Sequence, residues 1–274
     1  MLTDAFPLLL VGCGKMGGAM LAGWLGQGIE ADKIVVVEPA EATAEAIAAD
    51  HGVAVVGDAG DVPTGFAPSV IVLAVKPQVM ADAVAGLGRF ADAGALVLSI
   101  AAGTTIGVFE RALGDSIAIV RLMPNTPAAV GHGITALVAN RHATDAQRAA
   151  ADALAATVGE TVWLDDEALM DAVTGLSGSG PAYVFLLIEI LANAGVANGL
   201  PPDIAGRLAS ATVEGAGQLA RLSDQSPEEL RRAVTSPGGT TAEALEVLMA
   251  EDGLQPLFDR AVAAATRRSK ELAS

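Results

Sequence analysis

Residues Leu8-Leu9-Leu10-Val11-Gly12-Cys13-Gly14-Lys15-Met16-Gly17 decide the fold. The aliphatic run Leu8–Val11 reads as a strand buried on both faces, and the spacing from Met16 to Gln27 reads as a helix. Between them stands G-x-G-x-x-G. In a strand–turn–helix, Gly12 permits the tight turn, Gly14 lets a pyrophosphate approach the backbone, and Gly17 lets helix and strand pack. Phosphate oxygens then meet the free N–H groups and positive dipole end at Lys15 and Met16. The string alone is weak. Its context carries it, because Glu38 ends the next aliphatic run about 20 residues further on. The rival reading is a glycine turn used only for packing.

Working outward, Ile34–Val37, Val70–Ala74, Leu96–Ile100, Ile117–Arg121 and Ile134–Val138 read as further strands. Helical windows such as Glu41–Asp50 and Val79–Leu87 separate them. The alternation predicts an α/β fold, an N-terminal Rossmann-like doubly wound parallel sheet. After Asp165 no convincing strand remains, so an all-α C-terminal domain is expected, dividing the chain at 1–163 and 164–274. Within it, Pro181–Asn198 is apolar almost all round, which predicts burial on most sides. Residues 204–222 are rich in Ala and Gly, which lets helices approach closely. Pro201-Pro202, Ser226-Pro227 and Ser236-Pro237 mark helix starts. A small domain with such a helix needs a second copy to cover it, so a homodimer is expected.

Composition narrows the chemistry. A formal net charge of −16 argues against nucleic acid, whose phosphates must be neutralised by Lys and Arg, and disfavours anionic membrane surfaces. The only cysteine, Cys13, excludes an intrachain disulfide and fits a reducing compartment. The start Met1–Pro7 lacks a basic leader and reads as the approach to the first strand, and the apolar stretch Pro181–Leu191 reads as too short to span a bilayer. A cytoplasmic protein is expected. Aromatic residues are only 3% of the chain, so the core must be built from Ala, Val, Leu and Ile.

Glu38 is placed to accept hydrogen bonds from a ribose diol, which suits NADH, and no Arg or Lys follows in Pro39-Ala40-Glu41 to hold a 2′-phosphate. The other reading is a solvated strand-end carboxylate. Ala74-Val75-Lys76-Pro77 falls at the carboxyl edge of the strand Val70–Ala74, facing the cofactor crevice; Lys76 is either a cofactor contact or an exposed turn residue. Asn125, in Met123-Pro124-Asn125-Thr126-Pro127, is either a cofactor or substrate-pocket contact or a structural loop residue. Two Gly- and hydroxyl-rich motifs precede helices: Gly175–Tyr183 and Thr235-Ser236-Pro237-Gly238-Gly239-Thr240-Thr241. Each forms an anion site at a helix N-terminus, or a simple cap.

Taken together, these motifs resemble the pyrroline-5-carboxylate reductase family. Thr-Ser-Pro-Gly-Gly-Thr-Thr is the most specific, with Ala-Val-Lys-Pro, Met-Pro-Asn-Thr-Pro and Gly-Ser-Gly-Pro-Ala-Tyr in the expected order. The resemblance implies reduction of 1-pyrroline-5-carboxylate to L-proline with NADPH or NADH, a helical dimerisation domain, and often a ring of dimers. It assigns Ser236, Gly238, Gly239, Thr240 and Thr241 to the substrate carboxylate, with the Thr241 hydroxyl near the ring nitrogen. Many relatives prefer NADPH, a preference that Glu38 opposes. The chemistry agrees: hydride addition to a protonated C=N gives a neutral amine and needs orientation rather than a strong acid or a metal. A β-hydroxyacid dehydrogenase of the same plan would need a base in the second domain, where the only Lys is Lys270 and no His occurs. A non-catalytic dinucleotide-binding protein would not need the Ser-Pro-Gly-Gly-Thr-Thr turn.

Overall fold

The computed structural model describes residues 7–272; the start up to Phe6, expected to lead into the first strand, lies outside the described residues. Strands and helices alternate as β1 (Leu8–Val11), α1 (Lys15–Gly26), β2 (Ile34–Val37), α2 (Glu41–His51), β3 (Ala54–Val56) and β4 (Val70–Leu73). There follow α3 (Met80–Ala85), α4 (Gly88–Ala91), β5 (Leu96–Ser99), α5 (Ile106–Leu113), β6 (Ile119–Met123), β7 (Gly133–Ala139), α6 (Asp145–Ala156) and β8 (Gly159–Trp163). They build one sheet in the order β3-β2-β1-β4-β5-β6-β7-β8. All pairs from β3 to β6 are parallel, and the order reverses between β1 and β4. That reversal is the switch point where a doubly wound sheet opens a crevice beyond its carboxyl edge.

β1, β2, β4 and β5 are buried at every position. Their alternate side chains feed two cores, one on each face of the sheet. Trp24, Leu10, Val36 and Leu154 belong to the first, and Phe109, Ile71 and Leu87 to the second. Trp24 satisfies its buried indole N–H on the Leu154 carbonyl at 3.1 Å, tying α1 to α6. Two features depart from expectation. β6 runs antiparallel to β7, because only the 3₁₀ turn Thr126–Val130 joins them and a parallel pair needs a longer crossover. β3 and β8 are additional strands at the two edges of the sheet.

No strand follows β8 among the described residues. α7 (Met170–Val173) runs through a π-helical turn, Thr174–Gly178, into α8 (Gly180–Ala197), followed by α9 (Pro202–Leu222), α10 (Pro227–Ala233), α11 (Thr240–Leu248) and α12 (Leu254–Leu272). The chain forms two compact units. One runs to Gly178 and takes back the segment from Thr266; the other is Ser179–Ala265. In the first unit the returning segment is anchored by Ser269, whose hydroxyl donates to Asp171 at 2.6 Å. In the second, Gly195 of α8 faces Ala205 of α9 so closely that a Cβ at 195 would lie 3.2 Å from the alanine methyl. Pro202 and Pro227 sit in the first turns of their helices, and Ser226 closes a capping box with Glu229. Pro237 instead lies in a turn ahead of α11.

The expected burial of α8 is not met within one chain. None of its residues is buried, and Phe185 and Ile190 are 59% and 54% exposed. The helical stretch Glu167–Ala197 is also long and apolar enough, by length and composition alone, to cross a membrane. Counting only the apolar run at 181–191 understated it, because helix extends on both sides of that run.

Candidate active site

The glycine turn behaves as three different devices. Gly12 has φ +85°, and a Cβ there would lie 2.6 Å from a Val75 methyl. At Gly17 a Cβ would lie 2.6 Å from the Gly12 carbonyl oxygen and 3.1 Å from the Ala74 Cβ, so this glycine is what seats α1 against β4. A Cβ at Gly14 would meet nothing within 4 Å. Gly14 is also the N-cap of α1 and offers no side chain to its free N–H groups. The open cradle lies in front of an uncapped helix start, the shape and polarity that a pyrophosphate needs. Lys15 is exposed and Met16 half-buried, so the first lies free at this turn and the second packs beneath it.

Glu38 stands directly after β2. Its Oε2 accepts from the Cys13 N–H at 3.2 Å and its Oε1 from the Ala40 N–H at 3.2 Å. Burial pushes the Cys13 thiol up to about 11, and the Glu38 charge adds to the shift. Beside Glu38 opens a cleft of about 200 Å³, lined by Val11, Val37, Pro39, Gly57, Asp58, Ala59, Val75, Val79, Asp82, Ala83 and Gly86. Apolar walls flanked by carboxylates, with no Lys or Arg in the lining, suit a flat heteroaromatic base and a ribose better than an added phosphate. Sequence reasoning reached Val75 but not Asp58 or Asp82. These lie on segments after β3 and in α3 that carry no motif.

Ala74 bonds to the end of β1 through its N–H, 2.8 Å from the Val11 carbonyl. Lys76 is exposed and precedes the turn Pro77–Val79, which opens with Pro77. Asn125 uses both ends of its amide within the same unit. Its oxygen accepts from the Ile134 N–H at 3.0 Å, and its nitrogen lies 3.4 Å from both oxygens of Ser177. The side chain thus joins the β6–β7 loop to the π-helical turn. That turn occupies Thr174–Gly178 of the motif Gly175–Tyr183, and Ser179 follows as the N-cap of α8 with no side-chain cap bond.

The second glycine motif forms a turn directly ahead of α11. Gly239 N–H bonds the Ser236 carbonyl at 3.0 Å, with Pro237 second and Gly238 third at φ +68°, the pattern of a type II turn. Gly239 then caps α11 without any side-chain bond, and its Cβ position lies 3.1 Å from the Ser236 oxygen. Thr240 and Thr241 form the first residues of the helix, Thr240 exposed and Thr241 half-buried. Their hydroxyls and uncapped N–H groups make one compact set of donors. No cluster of metal-ligating side chains occurs among the described residues.

Comparison with known proteins bears on both halves. Residues 167–272 match the family model described as pyrroline-5-carboxylate reductase dimerisation, and residues 8–103 match NADP oxidoreductase, coenzyme F420-dependent. The chain is 40% identical to the pyrroline-5-carboxylate reductase of Pseudomonas aeruginosa over 97% of its own length and 96% of that protein. It belongs to the pyrroline-5-carboxylate reductase family. Among solved structures, the pyrroline-5-carboxylate reductase of Coxiella burnetii is 35% identical with a TM-score of 0.92, covering 98% of this chain and 99% of that one. The Plasmodium falciparum pyrroline carboxylate reductase, solved with NADP bound, is 29% identical with a TM-score of 0.83, covering 99% of each. As a pyrroline-5-carboxylate reductase the chain is an NAD(P)H-dependent oxidoreductase, and the open cradle at Gly14 fits that cofactor. Its helical stretch is the dimerisation region of the family, which accounts for the exposed apolar face of α8 in a homodimer.

Proposed function

We propose that this reductase converts 1-pyrroline-5-carboxylate to L-proline, the last step of proline synthesis, with NADH as its preferred donor. The dinucleotide supplies the hydride. The chain's own residues bind and orient. Gly12, Gly14 and Gly17 shape the pyrophosphate cradle, with Lys15 and Met16 at its helix start. Glu38 takes the ribose diol, and Ala74, Val75, Lys76 and Pro77 border the crevice, with Asn125 holding the neighbouring loop. The donors of Ser236, Gly238, Gly239, Thr240 and Thr241 hold the substrate carboxylate, and the Thr241 hydroxyl faces the ring nitrogen. The imine arrives protonated, hydride adds to its carbon, and the former C=N electron pair remains on a neutral amine. No strong acid is required of the protein.

The observation that carries this reading is the start of α11 behind the Ser236–Gly239 turn, where Gly239 caps the helix with no side-chain bond among the described residues. Residues to 163 are assigned to dinucleotide binding and those from 164 to substrate binding and dimerisation. We assign the exposed face of α8 to a second copy rather than to lipid, place the enzyme in the cytoplasm, and extend the homodimer to a ring of dimers. Steady-state oxidation of NADH and NADPH with the cyclic imine tests the activity, set against a β-hydroxyacid with the oxidised cofactor. Turnover of the hydroxyacid alone overturns it.

A further inference from the structure

Arg121 is the only charged side chain in the buried set among the described residues, at 3% exposure. It lies on β6 opposite Ser99 of β5, at the carboxyl edge of the sheet. Its Nη1 donates to Oε1 of Glu167 at 2.9 Å, while its Nη2 is buried without a hydrogen-bond partner. The same Glu167 oxygen accepts from the N–H of Ile106, the first residue of α5, at 2.8 Å.

A guanidinium is an expensive group to bury, and a helix start needs no such help. Thr105 stands at the N-cap of α5 and could cap it locally, yet it makes no side-chain bond. The cap comes instead from a carboxylate 61 residues away. A local cap would order the helix alone. The long-range cap also fixes where the preceding loop, 101–105, stands relative to β6. The middle of the loop lies close against the returning chain: at Gly103, with φ +75°, a Cβ would lie 3.3 Å from the Leu272 backbone. This loop leaves the carboxyl end of β5, in the half of a doubly wound sheet that takes the second mononucleotide of a dinucleotide.

We infer that Arg121 and Glu167 are positioning residues for hydride transfer: together they set the β5–α5 loop at the nicotinamide end of the crevice, touching neither reactant. The inference rests on the dinucleotide reading given above. The test compares R121M, R121K and E167Q with the wild type, using NADH fluorescence titration, steady-state kinetics and thermal melting. R121M should raise the KM for NADH or lower kcat by about 10-fold or more, the loss of one charge-assisted contact, with the KM for the imine unchanged. R121K, which keeps a charge on Glu167, should recover most of that loss. Lower melting temperatures with wild-type NADH KM and kcat in both R121M and E167Q would reduce the pair to a stability element and overturn the inference. If R121M does not fold, E167Q decides by the same readouts, because its amide oxygen still accepts from Ile106. A wild type that binds neither NADH nor NADPH in the titration overturns the dinucleotide reading, and this inference with it.

Discussion

The backbone N–H of Cys13 donates to Oε2 of Glu38 at 3.2 Å, across 25 residues of chain. The other carboxylate oxygen takes the Ala40 N–H at the same distance. The glycine turn and the end of β2 are therefore held together by one side chain, which is aimed before any ribose arrives. Glu38 steadies the glycine turn, and in the proposed function the same carboxylate also selects the ribose.

Replacing Glu38 should separate these jobs. Glu38→Ser keeps a short hydroxyl but removes the charge that opposes a 2′-phosphate. The ratio of kcat/KM for NADH to that for NADPH should fall about 10- to 150-fold, the worth of one hydrogen bond to a charged group. Because the Cys13 N–H loses its acceptor, NADPH should not gain as much as NADH loses. Steady-state kinetics with both cofactors on one imine measures this. A wild type that already favours NADPH strongly sinks the reading.

Gly14 and Gly17 should fail in opposite ways. A Cβ at Gly14 meets open space, so Gly14→Ala should melt near the wild-type temperature while its KM for dinucleotide rises. A Cβ at Gly17 meets the Gly12 carbonyl at 2.6 Å, so Gly17→Ala must move backbone and should cost roughly 1–3 kcal/mol of stability. Melting curves paired with NADH titration distinguish the two. Equal melting temperatures for both variants would contradict the assignment.

The parts of the fold that were legible in the sequence are those whose signal is local. β1 and β2 begin and end where their aliphatic runs do, because a strand covered on both faces must be apolar throughout. β3 is only three residues, Ala54–Val56, half-covered at an edge and too short a run to stand out, and β8, Gly-Glu-Thr-Val-Trp, carries Glu and Thr side by side and forms no continuous apolar run. Contacts between residues distant in sequence left no trace either: the Ser269–Asp171 bond and the Arg121–Glu167 pair both join segments far apart in the chain. α8 was legible in the other direction: an all-round apolar helix in a small domain called for a second copy, and none of its residues is buried within the single chain.

Thr241 offers the sharpest test of the substrate turn. It is the second residue of α11, half-buried, behind a turn that supplies no side-chain cap. In the proposed role, Thr241→Ala would remove one hydrogen bond to a charged or developing-charge group, worth roughly 1.5–3 kcal/mol, or about a 10- to 150-fold loss in kcat/KM. Thr241→Ser should retain most activity. A wild-type value for the alanine variant would refute the role.

The thiol of Cys13 should respond to pH in a defined window. Its pKa is about 11 in the fold against an ordinary 9.0, raised first by burial and then by the Glu38 charge. The fold therefore holds a proton that the unfolded chain releases first. The sign follows from linkage: the stability tied to this thiol is fully present below pH 9.0 and declines as pH rises towards 11. Melting temperature against pH should fall more steeply for the wild type than for Cys13→Ala over that window. Iodoacetamide should label Cys13 slowly at pH 8, since the thiolate is the reactive form. Labelling as fast as a free cysteine would show the site to be open.

The face of α8 predicts the oligomer's weak point. Phe185 and Ile190 stand 59% and 54% exposed on a helix with no buried residue, inside the region that matches the dimerisation model. In a two-fold interface each residue is buried twice, so one substitution acts at two places. Covering a Phe side chain contributes about 1.5–3 kcal/mol, and Phe185→Asp replaces that gain with the cost of burying a charge. Sedimentation equilibrium should show the dimer dissociation constant raised by about 100-fold or more, which is what a loss near 3 kcal/mol produces. The sheet unit makes its own core, so its near-ultraviolet circular dichroism from Trp24 should survive the change. A Phe185→Asp protein that sediments as the wild-type dimer would move the interface away from this face of α8.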